Sequence, residues 1–390
     1  MLDWLIIGGG IHGTHLSRVL TADVGVDAAK VRVLDPHAEP LQRWRECTRN
    51  CGMEFLRSPL EDHIADDPLS LFMYRRDHGT HTTTHLARNR GRAALTVFND
   101  HADGVIRRCR LRDLRVQGRA TGLTRVARGI GVDTDAGRIE ARRVLLAMGL
   151  TEQLRYPDWV AGLHAGCAQH VGAPGFDIAA VGAWDRCVVI GGAMTAAQTA
   201  VALARTGRGE VTLLSRGNLR RHDYDTDAEW LRPTGPARLA DEPDFDRRRV
   251  VVESGRHPGS VTSDVEAAVE LAVGLGRLRH TFGDVVDAKA LSDGSVRLEF
   301  AVGEPITTDR LLIATGFDSR RPGGEWVDTA VEELGLPTAA CGYPIVDARL
   351  EWGSGVYVCG PLAELELGPA ALNIAGARLA GRRLATMGPT

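Results

Sequence analysis

The sequence predicts an α/β protein with two Rossmann-like dinucleotide-binding domains, the second inserted into the first. Three observations carry this. A short apolar run, a glycine-rich turn and a helical pattern open the chain. The same order recurs about 180 residues later, and the C-terminal segment returns to a strand followed by a helix. The first domain is therefore expected to be discontinuous, 1–183 plus 305–390, with 184–304 forming the second.

In DWLIIGGGIHGTHLSRVL a buried strand runs into Gly8, Gly9, Gly10, Ile11, His12 and Gly13. Gly8 permits the tight turn, Gly10 lets a pyrophosphate approach the backbone, and Gly13 allows close helix–strand packing. The helix N-terminus adds free N–H groups and a positive dipole end. Asp35 ends the next strand, VRVLDP, where an acidic side chain binds the hydroxyls of an adenosine ribose. In that context the loop and Asp35 mark a cofactor site; an empty α/β domain with a glycine turn is the alternative. As chemistry, His12 and His15 read as helix-surface residues and not as catalysts.

The pattern returns in RCVVIGGAMTAAQTAVALARTGRGEVTLLSRG. The strand at Cys187–Ile190 meets Gly191, Gly192 and Ala193, a helix starts near Met194 and takes in Thr195, and the strand at Val211–Leu214 follows. Ala193 and Ala196 stand where the later two glycines would, and Ala193 slightly crowds a pyrophosphate. Ser215 and Arg216 occupy the place of Asp35, and a hydroxyl beside a guanidinium suits a 2′-phosphate. The second unit is thus expected to prefer NADPH, a decayed domain with a surface arginine being the alternative. Two units imply two dinucleotides, arranged as a relay in which NADPH gives hydride to a tightly held FAD.

Between these units the chain reads as a polar stretch with short helices to about residue 100, then short strands ending in ARRVLLAMG, then a linker to 184. From Arg216 to about 260 it is charged and reads largely as loop. SVTSDVEAAVELAVGLG is an amphipathic helix with a Ser/Thr cap. TDRLLIATGFDSRRP and GVYVCGP are buried strands ending in glycine turns, and a final helix begins near Pro369.

Composition narrows the class. Net charge is −3, and the arginines are scattered with only Lys30 and Lys289 as lysines, which argues against nucleic acid or an anionic membrane as partner. Seven cysteines in no regular framework, with no signal peptide, make a reducing cytoplasm the expected location. MLDWLIIGGG is too short to span a bilayer.

Taken together, these residues resemble the class B flavin monooxygenases, nearest to the L-lysine/L-ornithine N-hydroxylase-like FAD/NAD(P)-binding proteins. Phe55-Leu56-Arg57 and Asp67-Pro68-Leu69-Ser70 match that family's segment near the flavin, with a few extra residues between them. Ala147-Met148-Gly149 and Ala314-Thr315-Gly316 match its turns where the chain crosses between domains, and GPAALNIAGAR its C-terminal helix over the flavin. The resemblance implies FAD contacts from Trp44, Leu56, Gly149, Gly316, Gly360, Leu372 and Asn373. It also implies a flavin C4a-hydroperoxide that oxygenates a small molecule, an amine or amino-acid-like compound first. Substrate and O2 are then the partners, with homo-oligomerisation open.

Two departures stand out. Arg57 replaces the family's lysine, keeping charge but changing geometry. It is the expected catalytic residue, at the flavin or a substrate carboxylate, or else an arginine paired with FAD phosphate or with Asp62. The family's Asn-Glu-x-Phe substrate motif is missing after LLSRGNLRRHDYDTDAEW, which weakens lysine and ornithine as substrates.

A reductase passing electrons through Cys47 and Cys51, or a flavin-binding protein without turnover, are the competing readings. On a helix, residues four apart place their Cβ atoms about 6 Å apart, beyond the ~3.8 Å of a disulfide. The cysteines therefore read as part of the wall of the flavin site. His78, His81 and His85 fall at helical spacing, but Gly79 and the threonine run make poor helix, so no metal site is expected.

Overall fold

The computed structural model describes residues 1–78, 91–163, 166–182 and 184–387. In the first domain a parallel core runs in the order Val356–Val358, Gly137–Leu146, Leu2–Ile7, Val31–Asp35, Arg115–Gln117, with Glu351–Gly353 antiparallel at one edge. The hairpin Ala120–Val126/Gly129–Thr134 extends from the N-terminal half of Gly137–Leu146. Trp4, Leu5, Ile6 and Ile7 are all buried, as expected for a central parallel strand covered on both faces.

Helix Ile11–Arg18 packs against the C-terminal helix Ile374–Ala385 so closely that a Cβ on Gly381 would lie 2.7 Å from His15 Nε2. His15 is therefore in the core and not on the helix surface. It is 3% exposed, its Nδ1 sits 3.0 Å from the Ile64 carbonyl, and burial lowers its pKa to about 3. The residue type suggested solvent; the neighbouring helix covers it.

The second domain is a five-stranded parallel sheet in the order Arg279–Phe282, Glu210–Ser215, Arg186–Ile190, Arg310–Ile313, Ala168–His170. An antiparallel sheet of Val285–Ala290, Val296–Phe300 and Ile306–Thr308 joins it. The insertion expected from the sequence is present, but the boundaries at 183/184 and 304/305 move outward. Ala168–His170 and Arg310–Ile313 both belong to the second sheet, because each completes a hydrogen-bonded edge there. The crossings lie instead near the two Ala-x-Gly turns.

The segment read as loop contains the helix Phe245–Ser254, capped by the Asp244 carboxylate, which accepts from Asp246 N at 2.9 Å and Arg247 N at 3.3 Å. Its charges do not all face water. Arg249 and Arg256 both pair with Glu364, which is 1% exposed, and Arg248 pairs with Glu366 at 3.2 Å. These pairs fasten the second domain's helix to the C-terminal segment Glu364–Leu367. Among the described residues no helix is long and apolar enough to cross a membrane.

Candidate dinucleotide and active site

The two glycine loops are built alike. Gly8 N donates to the Leu34 carbonyl at 2.8 Å and Gly191 N to the Leu214 carbonyl at 3.0 Å, each reaching the neighbouring strand. Gly8 has φ +111° and Gly191 φ +147°, conformations that favour glycine. Behind each stands an Ala-x-Gly turn, with Ala147 N donating to Ile7 O and Ala314 N to Ile190 O, both at 2.8 Å. Gly149 and Gly316 end these turns at open space. A Cβ on Gly13 would lie 1.8 Å from the Gly8 carbonyl, so helix and strand touch there, whereas a Cβ on Gly10 would meet nothing within 4 Å. That open backbone, at the start of a helix, is the cradle a pyrophosphate requires.

Asp35 is held at the mouth of the first loop. Its Oδ2 accepts from Gly9 N at 2.5 Å, and its Oδ1 accepts from His37 N at 2.8 Å and faces His37 Nδ1 at 3.0 Å. Arg115, almost buried, lies 3.5 Å from Asp35 Oδ1 and donates to the His37 carbonyl, while its Nε and Nη1 have no partner among the described residues. Sequence reading missed Arg115. Only the pairing of Val31–Asp35 with Arg115–Gln117, Val33 opposite Arg115, brings it to Asp35 and Gly9.

His12 sits between Gly360 and the backbone of Leu372 and Asn373, and burial lowers its pKa to about 4, with hydrogen bonding to those two backbones opposing. Arg115 donors without a partner among the described residues and the open Gly10 backbone fit a dinucleotide of FAD type.

At the second loop, a Cβ on Gly192 would sit 3.5 Å from that of Ser215, and Ala193 takes extended backbone as the N-cap of helix Met194–Thr206. The Ser215 hydroxyl is buried and committed, donating to Gly217 O at 2.7 Å and contacting His280 Nε2 at 2.9 Å. Arg216 is exposed and makes no hydrogen bond or ion pair among the described residues. Of the expected pair, Arg216 is the group left free. The site fits a dinucleotide whose adenosine end carries extra negative charge.

A cavity of about 270 Å³ lies where the domains meet. Ala193, Met194 and Thr195 enter it from the second loop, Pro369 and Leu372 from the C-terminal segment, and Arg57, Asp225 and His257 from between. Arg57 sits on the strand Phe55–Pro59. Its Nη2 donates to His222 O at 2.8 Å, Tyr224 O at 2.7 Å and Ser260 Oγ at 2.8 Å, so its hydrogen bonds go to the second domain and not to Asp62. Burial pulls its pKa down, with Asp225 and Asp223 opposing. Asn373 Nδ2 donates to Asp225 Oδ1 at 3.1 Å, and His257 Nε2 lies 2.9 Å from Asp227 Oδ1. His257 and Asp225 lay in the segment read as loop, without a motif to single them out.

Cys47 lies in the helix Gln42–Asn50 and Cys51 just after it, Cys51 N donating to Cys47 O at 3.1 Å. Both are free thiols. Cys51 Sγ points at Thr48 O and Gln198 Oε1, and burial pushes its pKa up to about 12. A thiol so buried is a weak nucleophile for disulfide exchange. Trp44 packs on Phe98 with ring centroids 5.0 Å apart, and Leu56 is buried in the first-domain core. His78 ends the helix Ser70–His78 and stacks on Tyr74, while His81 and His85 lie outside the described residues.

No family model matches the chain, and neither does any curated protein. Solved structures do. An ornithine N-hydroxylase of Kutzneria sp. 744, with reduced FAD, NADP⁺ and L-ornithine, aligns at TM-score 0.76 and 16% identity over 99% of this chain and 98% of that one. The FAD-bound cadaverine monooxygenase of desferrioxamine biosynthesis from Erwinia amylovora aligns at 0.75 and 14%, over 98% and 93%. L-Lysine 6-monooxygenase from Pseudomonas syringae aligns at 0.72 and 17%, over 99% and 98%. At these identities the likeness establishes a shared two-domain fold along nearly the whole chain.

Proposed function

We propose that the chain is an FAD- and NADPH-dependent monooxygenase that oxygenates an amine or amino-acid-like small molecule, most simply by N-hydroxylation. One observation carries this reading: the second glycine loop, the C-terminal segment and Arg57 line a single cavity at the domain junction. The solved structures that share the fold act on ornithine, cadaverine and lysine. FAD, when bound, supplies the redox chemistry with O2, and NADPH supplies the electrons.

The protein's part is to bind, orient and exclude water. Gly8 to Gly13 and Asp35 hold the FAD phosphates and ribose, with Arg115 compensating charge. Gly191, Gly192, Ala193 and Thr195 receive the NADPH pyrophosphate, and Arg216 its 2′-phosphate. Arg57, anchored through Nη2, keeps its guanidinium at the cavity wall. His12, Gly360, Leu372 and Asn373 form the flavin-facing side.

The test begins with purified protein carrying FAD. NADPH should bleach the flavin, and with an accepted amine each NADPH consumed should give one hydroxylamine with little peroxide. Failure of NADPH to bleach the flavin would overturn the reading.

A further inference from the structure

The buried Ser215 hydroxyl fixes the state of a histidine that the second nucleotide loop has not yet called upon. Its single proton goes to the Gly217 carbonyl at 2.7 Å, and His280 Nε2 lies 2.9 Å from the same oxygen. An oxygen whose proton is committed can only accept, so Nε2 carries a hydrogen and donates it. Nδ1 is then the atom that titrates, and a proton added there leaves the bond to Ser215 in place.

His280 belongs to Arg279–Phe282, the edge strand parallel to Glu210–Ser215. Phe282 stands opposite Ser215, and Gly283 N donates to the Ser215 carbonyl at 3.0 Å. The histidine therefore lies near the carboxyl end of the sheet, the end at which nucleotides bind. Its ring holds the oxygen of the residue just before Arg216. Two hydrogen bonds on that oxygen, one from the ring and one to Gly217, tie down the turn that carries Arg216.

The ring is half-buried among uncharged groups. From the neighbouring strand it meets the Ser215 hydroxyl, with Arg216 next in the chain. On its own strand the Phe282 ring stands edge-on with centroids 4.8 Å apart, and Arg279 is paired with Glu210 at 2.9 Å. From the antiparallel sheet the Phe300 ring lies against Gly283. Burial lowers the histidine's pKa, and no neighbouring charge opposes it. A dianion arriving beside Arg216 would supply that opposing charge and draw a proton onto Nδ1. A nucleotide with a 2′-phosphate brings such a dianion; one that ends in a plain ribose does not.

We propose that His280 is a positioning residue for the 2′-phosphate of NADPH: it holds the turn that presents Arg216, and it binds a proton together with the phosphate. The proposal rests on the NADPH reading of the second loop and deepens it, making the selectivity for the phosphate proton-linked.

Calorimetric titration of the FAD-loaded protein tests it, with adenosine 2′,5′-bisphosphate and 5′-AMP as probes in buffers of different ionisation enthalpy. At about pH 7.5 the bisphosphate should bind with net proton uptake and 5′-AMP without it. His280→Gln keeps an N–H for Ser215 but no titrating nitrogen, so it should bind the bisphosphate without uptake. The wild-type advantage over that variant should grow roughly threefold or more from about pH 8 to about pH 6. His280→Ala also loses the bond to Ser215, and should weaken the bisphosphate roughly 10-fold at either pH while leaving 5′-AMP unchanged. Proton uptake that persists in His280→Gln, or none in wild type, would overturn the proposal. If the bisphosphate binds wild type no tighter than 5′-AMP, the NADPH reading falls with it. If it binds tighter but takes up no proton through His280, the proposal falls alone.

Discussion

The carbonyl oxygen of Ala147 stands 2.6 Å from the point a Cβ on Gly8 would occupy. The same relation holds between Ala314 and Gly191 at 2.5 Å. Each nucleotide loop is thus closed from behind by the turn that leads the chain toward the other domain.

Substitutions within the first loop should separate folding from cofactor binding. Gly13→Ala drives a methyl into the Gly8 carbonyl and should destabilise the apoprotein by about 2–4 kcal/mol. Gly10→Ala meets open space and should leave apoprotein stability within about 0.5 kcal/mol while sharply reducing FAD retention. Denaturant melts of apoprotein and flavin absorbance after gel filtration check both. Equal FAD content in Gly10→Ala and wild type would remove Gly10 from the cofactor site.

Arg216→Ala should raise the KM for NADPH roughly 10- to 100-fold and hardly change that for NADH, the loss of a charge-assisted phosphate contact. Steady-state flavin reduction with each nucleotide measures it. Equal effects on the two nucleotides would rule out phosphate binding by Arg216.

Arg57→Ala removes three hydrogen bonds between the domains and should cost about 2–4 kcal/mol of stability. Arg57→Lys should fall between, since one ammonium cannot reproduce the guanidinium's geometry. A variant as stable as wild type in urea would contradict the clamp.

Burial raises the pKa of Asp62 from 3.8 to about 7. The folded state therefore keeps a proton that the unfolded chain has lost. The penalty is absent below the unfolded pKa, grows as pH rises toward the folded one, and is constant above it. Asp62→Asn should accordingly be more stable than wild type at about pH 8, by a few kcal/mol at most, and equal near about pH 4. A pH-independent difference between the two melts would refute this.

Thiol reagents should modify the exposed Cys341 first, and Cys51 and Cys359 only on unfolding, because burial raises both thiols. Mass mapping of a timed labelling reaction reads the order. The Cys47→Ser/Cys51→Ser variant should still accept electrons from NADPH at the wild-type rate.

Local patterns made both strand–glycine-turn–helix units legible, because strand, turn and helix are contiguous there. Domain boundaries were less legible: Ala168–His170 is a three-residue strand whose identity depends on its partner, Arg310–Ile313. Arg115, Asp225 and His257 reach the sites by folding across long sequence separations. The helix Phe245–Ser254 was hidden by its charge, since the carboxylate partners of Arg248 and Arg249 lie more than a hundred residues away. Ser215 was placed correctly on its strand, but its hydroxyl is occupied by the Gly217 carbonyl and by His280.

The chain passes between the domains twice, near Gly149 and near Gly316, and strands on either side are fixed into their own sheets. A body tethered at two points keeps only one easy motion, a swing about the line joining them. Arg57 with its three acceptors, and Glu364 with its two arginines, tie the domains at further points, remote in sequence from both crossings.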